Sequence, residues 1–120
     1  MKKILIIEDE QILSEMYQDT FSQAGFEVSL AFTCEEGLEI AKKEKPDLIL
    51  LDILLPRESG IVFLWRFKED PKIAEIPVVA FSNYDDPKTK QQAISLGIKA
   101  YLLKANFTPK ELLEKVKEYL

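Results

Sequence analysis

The run Leu48-Ile49-Leu50-Leu51 is apolar at four consecutive positions and stops on Asp52. A strand that is apolar at both parities must be covered on both faces, as in a parallel sheet flanked by helices. Four more short runs surround it: Lys3 to Ile7, Phe26 to Phe32, Pro77 to Phe81 and Ala100 to Leu103. Longer helical patterns separate them. The expectation is βαβαβαβαβα, an α/β chain whose right-handed crossovers place helices on both faces of a five-stranded parallel sheet.

The helix ends are marked in the sequence. Helix 1 runs from about Gln11 to Ala24 and stops at Gly25, a residue suited to a left-handed cap. Helix 2 opens at Thr33 with Glu36 three positions on, the capping-box spacing, and ends before Pro46. Helix 3 follows Ser59 and stops near Asp70-Pro71. Helix 4 opens at Asp86-Pro87 and ends at Gly97, and helix 5 opens at Thr108-Pro109-Lys110-Glu111. In both, a capping side chain precedes proline at the first helical position.

Composition excludes several chemistries. The 120 residues suffice for one domain and for a core without metal or disulfide staples. There is no histidine, which removes imidazole acid–base chemistry and histidine metal sites. The one cysteine, Cys34, cannot form an intrachain disulfide and is expected to be structural. A net charge of −5 argues against direct nucleic-acid binding and against an anionic membrane surface. The first apolar run ends at Glu8-Asp9-Glu10, too early for a signal peptide, and no stretch reaches the roughly 20 apolar residues of a membrane span. A cytoplasmic protein is expected.

Sites in open parallel sheets form at the carboxyl ends of the strands. Strand 1 ends at Glu8-Asp9, strand 3 at Asp52, strand 4 at Ser82, and Lys104 follows strand 5. Three carboxylates in one pocket repel each other, and burial raises the cost. A divalent cation with a taste for hard oxygens, Mg²⁺, would let all three stay ionised. A carboxylate beside that ion and the Lys104 ammonium can act as a nucleophile toward phosphorus. Ser82 can donate to a phosphoryl oxygen.

These residues resemble the receiver domains of response regulators, the phosphoacceptor half of two-component signalling. The resemblance covers essentially the whole chain. Asp52-Ile53-Leu54-Leu55-Pro56-Arg57-Glu58-Ser59-Gly60 is similar to the family's Asp-x-x-x-Pro-x-x-x-Gly segment after strand 3. The resemblance implies a flavodoxin-like (βα)5 fold, strand order 2-1-3-4-5, with residues 1–120 as one receiver domain. It makes Asp52 the phosphorylated aspartate. Glu8, Asp9, Asp52 and the Leu54 backbone carbonyl become the Mg²⁺ ligands. Ser82 becomes the switch hydroxyl, Tyr101 the switch aromatic and Lys104 the phosphate-binding lysine. The implied donor is a phosphohistidine on a sensor histidine kinase or phosphotransfer protein. The implied output runs through the helix 4–strand 5–helix 5 face to a downstream protein or domain, and a homodimer is a further partner to consider. Such a domain is a switch with self-phosphorylation and slow autodephosphorylation, not a turnover enzyme.

The family usually places proline after the lysine, and here Ala105 stands there. A cis bond to alanine would cost about 3–4 kcal/mol, so a trans bond is expected. Two rival functions are a phosphorylation-independent interaction module and a Mg²⁺-dependent aspartyl-nucleophile phosphatase. The phosphatase pattern, Asp-x-Asp, is absent, since Leu54 lies two residues after Asp52. A flavin site would need a phosphate-cradling loop after strand 1, which Glu8-Asp9-Glu10 does not offer. Helix 3 carries Ile61, Val62, Phe63, Leu64, Trp65 and Phe67, more apolar residues than one stripe needs. Phe63 and Trp65 are expected either to be buried by neighbouring helices or to form a partner contact.

Overall fold

The computed structural model describes residues 2–55, 59–83 and 85–120 of the chain. Strand β1 (Lys3–Ile7), helix α1 (Gln11–Gln23), β2 (Glu27–Ala31), α2 (Cys34–Glu44) and β3 (Leu48–Asp52) form the first half. Helix α3 (Gly60–Glu69), β4 (Val78–Ser82), α4 (Pro87–Ser95), β5 (Ala100–Leu103) and α5 (Pro109–Lys117) complete it. All strands pair in parallel, in the order β2-β1-β3-β4-β5. The expected fold class and strand order are thus the observed ones. Within the Asp52–Gly60 segment, Pro56, Arg57 and Glu58 lie outside the described residues.

Every residue of β3 and β4 is buried, as two-sided cover demands. Alternate side chains of these strands serve two cores. Leu5, Ile7, Ile49, Leu51 and Ala80 pack with α2, α3 and α4. Ile4, Ile6, Leu48, Leu50 and Phe81 pack with α1 and α5. Asp52 continues the parity of Leu48 and Leu50, so its side chain leaves β3 on the α1–α5 side.

Four of the five helices are capped where the sequence marks them. Thr33, Ser59, Asp86 and Thr108 side chains accept from the backbone N–H of Glu36, Ile61, Thr89 and Glu111. Thr108 and Glu111 make a full reciprocal capping box. Gly25 and Gly97, after α1 and α4, have φ of +96° and +89°, which favours glycine. Helix α1 differs. Its N-cap position is Glu10 with no side-chain cap bond, so Asp9 does not cap it. A short 3₁₀ turn, Lys104–Asn106, follows β5.

Gly60 locks α3 onto the end of β3. Its N–H donates to the Ile53 carbonyl at 2.7 Å. A Cβ there would stand 2.8 Å from Ile53 Cα and 2.9 Å from the Asp52 carbonyl oxygen. Cys34 is buried, and its Sγ donates to the Ser59 carbonyl at 3.7 Å, a structural contact as expected. The aromatic residues of α3 divide. Phe63 is fully buried and stacks on Phe67, whereas Trp65 is 56% exposed.

Candidate functional site at the carboxyl edge of the sheet

Strands β1 and β3 lie side by side in register, with Ile7 beside Leu51. Glu8 and Asp52, each one step further, therefore emerge together. Carboxylate oxygens of Glu8, Asp9 and Asp52 all lie within 4.8 Å of one another. Glu8 and Asp52 are buried, and Asp9 is half-buried. Lys104, at the end of β5, reaches across the edge. Its ammonium donates to Glu8 Oε1 and, at 3.1 Å, to Asp52 Oδ2. It does so although Ala105 follows it through a trans peptide. Backbone donors take the other oxygens. Leu54 N–H donates to Asp52 Oδ1 at 3.1 Å, and Glu10 N–H donates to Glu8 Oε2 at 3.2 Å.

Charge and burial compete here. Burial pushes the Glu8 carboxyl up to about 7, reinforced by the neighbouring Asp52 charge and opposed by the Lys104 hydrogen bond. Burial also raises Asp52, against the pull of the Lys104 charge. For Lys104, burial alone would lower the ammonium, but Glu8 and Asp52 hold it above its ordinary value. With all four groups ionised, three negative charges and one positive leave the site at −2. That is the charge one divalent ion cancels.

The donor set suits Mg²⁺. Hard carboxylate oxygens are its preferred protein ligands, and ligands on one octahedral ion stand about 3–4 Å apart. The observed spread needs only a slight closure. Carboxylate oxygens keep a lone pair free after one hydrogen bond, so neither Lys104 nor the backbone donors exhaust them.

Asp9, Asp52, Leu54, Ser82 and Lys104 line one small cleft of about 120 Å³, together with Glu10 and Asn83. Ser82 is buried, on the opposite sheet parity from Phe81. Tyr101 lies on that same face of β5, packed against the α2–α3–α4 core and half-buried. Burial pushes its phenol up, partly offset by a hydrogen bond with the Ser82 side chain. Five of the seven sequence-selected residues thus line the cleft, Glu8 is buried and tied to it through Lys104, and Tyr101 is joined to it through Ser82.

Sequence reasoning missed Phe81. Its ring lies under the Lys104 ammonium, with 4.9 Å from Nζ to the centroid. Tyr17 packs against that ring at 5.3 Å and 74°. The paired strands set Phe81 beside Asp52, a neighbourhood that the sequence of β4 alone does not signal.

Residues 4–117 match the family model described as the response regulator receiver domain. The chain belongs to that family. This receiver is 34% identical over 119 residues to the phosphate regulon transcriptional regulatory protein PhoB of Pseudomonas aeruginosa. The match covers 99% of this chain and 52% of PhoB, so the chain spans about half of that relative's length. It is 30% identical over 119 residues to the polar-differentiation response regulator DivK of Brucella anthropi, covering 99% of this chain and 96% of DivK. Among solved structures, the receiver superposes on the chemotaxis protein CheY4 of Vibrio cholerae with a TM-score of 0.92 at 28% identity, covering 100% and 99% of the two chains. Receivers of this family act as signalling switches rather than turnover enzymes. Among the described residues, no helix is long and apolar enough to cross a membrane.

Proposed function

We propose that this receiver is a phosphoacceptor switch in which Asp52 takes a phosphoryl group from a partner's phosphohistidine. The observation that carries the reading is the placement of Asp52. It is 4% exposed, flanked by two more carboxylates and one ammonium, and opens on a cleft of about 120 Å³. With no histidine in the chain, the donor imidazole comes from a sensor kinase or phosphotransfer protein.

In the transfer, an Asp52 carboxylate oxygen bonds to phosphorus as the P–N bond to the donor imidazole breaks. The imidazole leaves with the electron pair and takes a proton from solvent. Glu8, Asp9, Asp52 and the Leu54 carbonyl would hold Mg²⁺, which when bound neutralises charge on the phosphoryl group in transit. Lys104 exchanges its hydrogen bond at Asp52 for a phosphoryl oxygen. Ser82 donates to another, releasing Tyr101 to follow it inward. The added phosphate charge thereby biases the face built by α4, β5 and α5, where a downstream protein or domain reads the state. One domain over residues 1–120 and a cytoplasmic setting belong to the same reading.

Incubation with acetyl phosphate and Mg²⁺, followed by intact mass measurement, tests it. Wild type should gain one labile phosphoryl group and Asp52→Asn none. Repeated turnover of a generic phosphomonoester would favour the phosphatase reading instead. Equal labelling of both proteins would remove Asp52 from its role.

A further inference from the structure

Lysine is a poor choice for holding a point charge in place. Its ammonium rides on a flexible four-carbon stem whose rotamer freedom is lost when the head is fixed. Yet the Lys104 side chain is only 9% exposed and its head is fixed between two carboxylates. An ammonium has three N–H donors. Glu8 and Asp52 take two of them. On another side stands the Phe81 ring, 4.9 Å from Nζ to the centroid, which is cation–π distance.

The ring is itself immobile. Phe81 is 1% exposed, in β4, in register with Asp52 on one side and Leu102 on the other. Tyr17, buried on α1, meets it edge-to-face.

We infer that Phe81 is a positioning residue for the phosphoryl chemistry: its ring, braced by Tyr17, holds the Lys104 ammonium in reach of the Asp52 oxygens. The inference deepens the phosphoacceptor reading and rests on it. A ring suits this task better than a third carboxylate would. It attracts the cation without claiming an N–H along a fixed line, so Lys104 is free to leave Asp52 for a phosphoryl oxygen. It also adds no negative charge to a site that already carries three. Helix α1 thereby contributes to the site through Tyr17, which stands two turns from Glu10.

The test compares wild type with Phe81→Leu, which removes the ring, and Phe81→Tyr, which keeps it. Two readouts are taken: the rate of phosphoryl uptake from acetyl phosphate with Mg²⁺, and the NMR shifts of the Lys104 ε-methylene protons. In wild type those protons should lie upfield of ordinary lysine through the ring current. Phe81→Leu should return them to the ordinary position and slow uptake about 3- to 10-fold, the range a partly buried cation–π contact supports. Phe81→Tyr should retain both properties. An ordinary lysine shift in wild type overturns the inference even if Phe81→Leu does not fold. So does a slowed Phe81→Leu whose Lys104 signals have not moved. Absence of uptake in wild type with the upfield shift intact would count against the phosphoacceptor reading and not against the ring contact.

Discussion

Glu8 has no exposed surface, yet it carries a carboxylate beside another carboxylate. Its carboxyl titrates near 7 because burial and Asp52 disfavour the charged form. The folded state therefore holds a proton more tightly than the unfolded chain does. Stability from this residue is complete below the unfolded value of 4.5 and is lost as pH rises through about 7. Metal-free protein should lose up to a few kcal/mol over that window. Thermal melting against pH checks this, with Glu8→Gln as the control whose curve should be flatter. An equally steep curve in Glu8→Gln would place the titration elsewhere. At this scale the sequence was informative about Glu8, Asp9, Asp52, Ser82 and Lys104, because each ends or follows a strand whose limits are easily read. Phe81 and Tyr17 were hidden. Each reads as an ordinary core aromatic until the strand register sets one beside Asp52 and the helix packs the other against it.

Elements were legible where local chemistry sets their ends. Thr33, Ser59, Asp86 and Thr108 each bond the helix they precede, so their spacing alone located four starts. Helix α1 has no such device, and the sequence could not show whether Asp9 serves as a cap or as a site residue. The 3₁₀ turn at Lys104–Asn106 was also invisible, since three residues without a cap carry no periodicity. Gly60 has a role its motif position did not explain. It brings the start of α3 against the backbone of Ile53 and Asp52. Gly60→Ala should therefore cost about 1–3 kcal/mol, as overpacking against backbone does, and should broaden the amide signals of Asp52 and Leu54. Denaturant melts and amide spectra measure both effects. An unchanged midpoint would mean that α3 can withdraw from β3 without penalty.

At the scale of the whole molecule, the parallel sheet is what gathers acids against their mutual repulsion. Two buried cores, one on each face, fix the strands, and their common edge then has no choice but to bring Glu8, Asp9 and Asp52 together. The exposed Trp65 on α3 plays no part in that assembly. On the proposed reading, the site's formal −2 would make the folded state a receptor for a divalent ion that the unfolded chain cannot match. Binding to the folded state alone raises stability by about 2.7 kcal/mol at a hundred times the dissociation constant. The most direct measurement is the melting temperature as a function of Mg²⁺ concentration, for wild type and for Asp9→Ala. Wild type should climb steadily with the logarithm of Mg²⁺, and Asp9→Ala should stay nearly flat while folding normally. Parallel climbs, or no climb in wild type, would contradict the claim that these three carboxylates form a cation site.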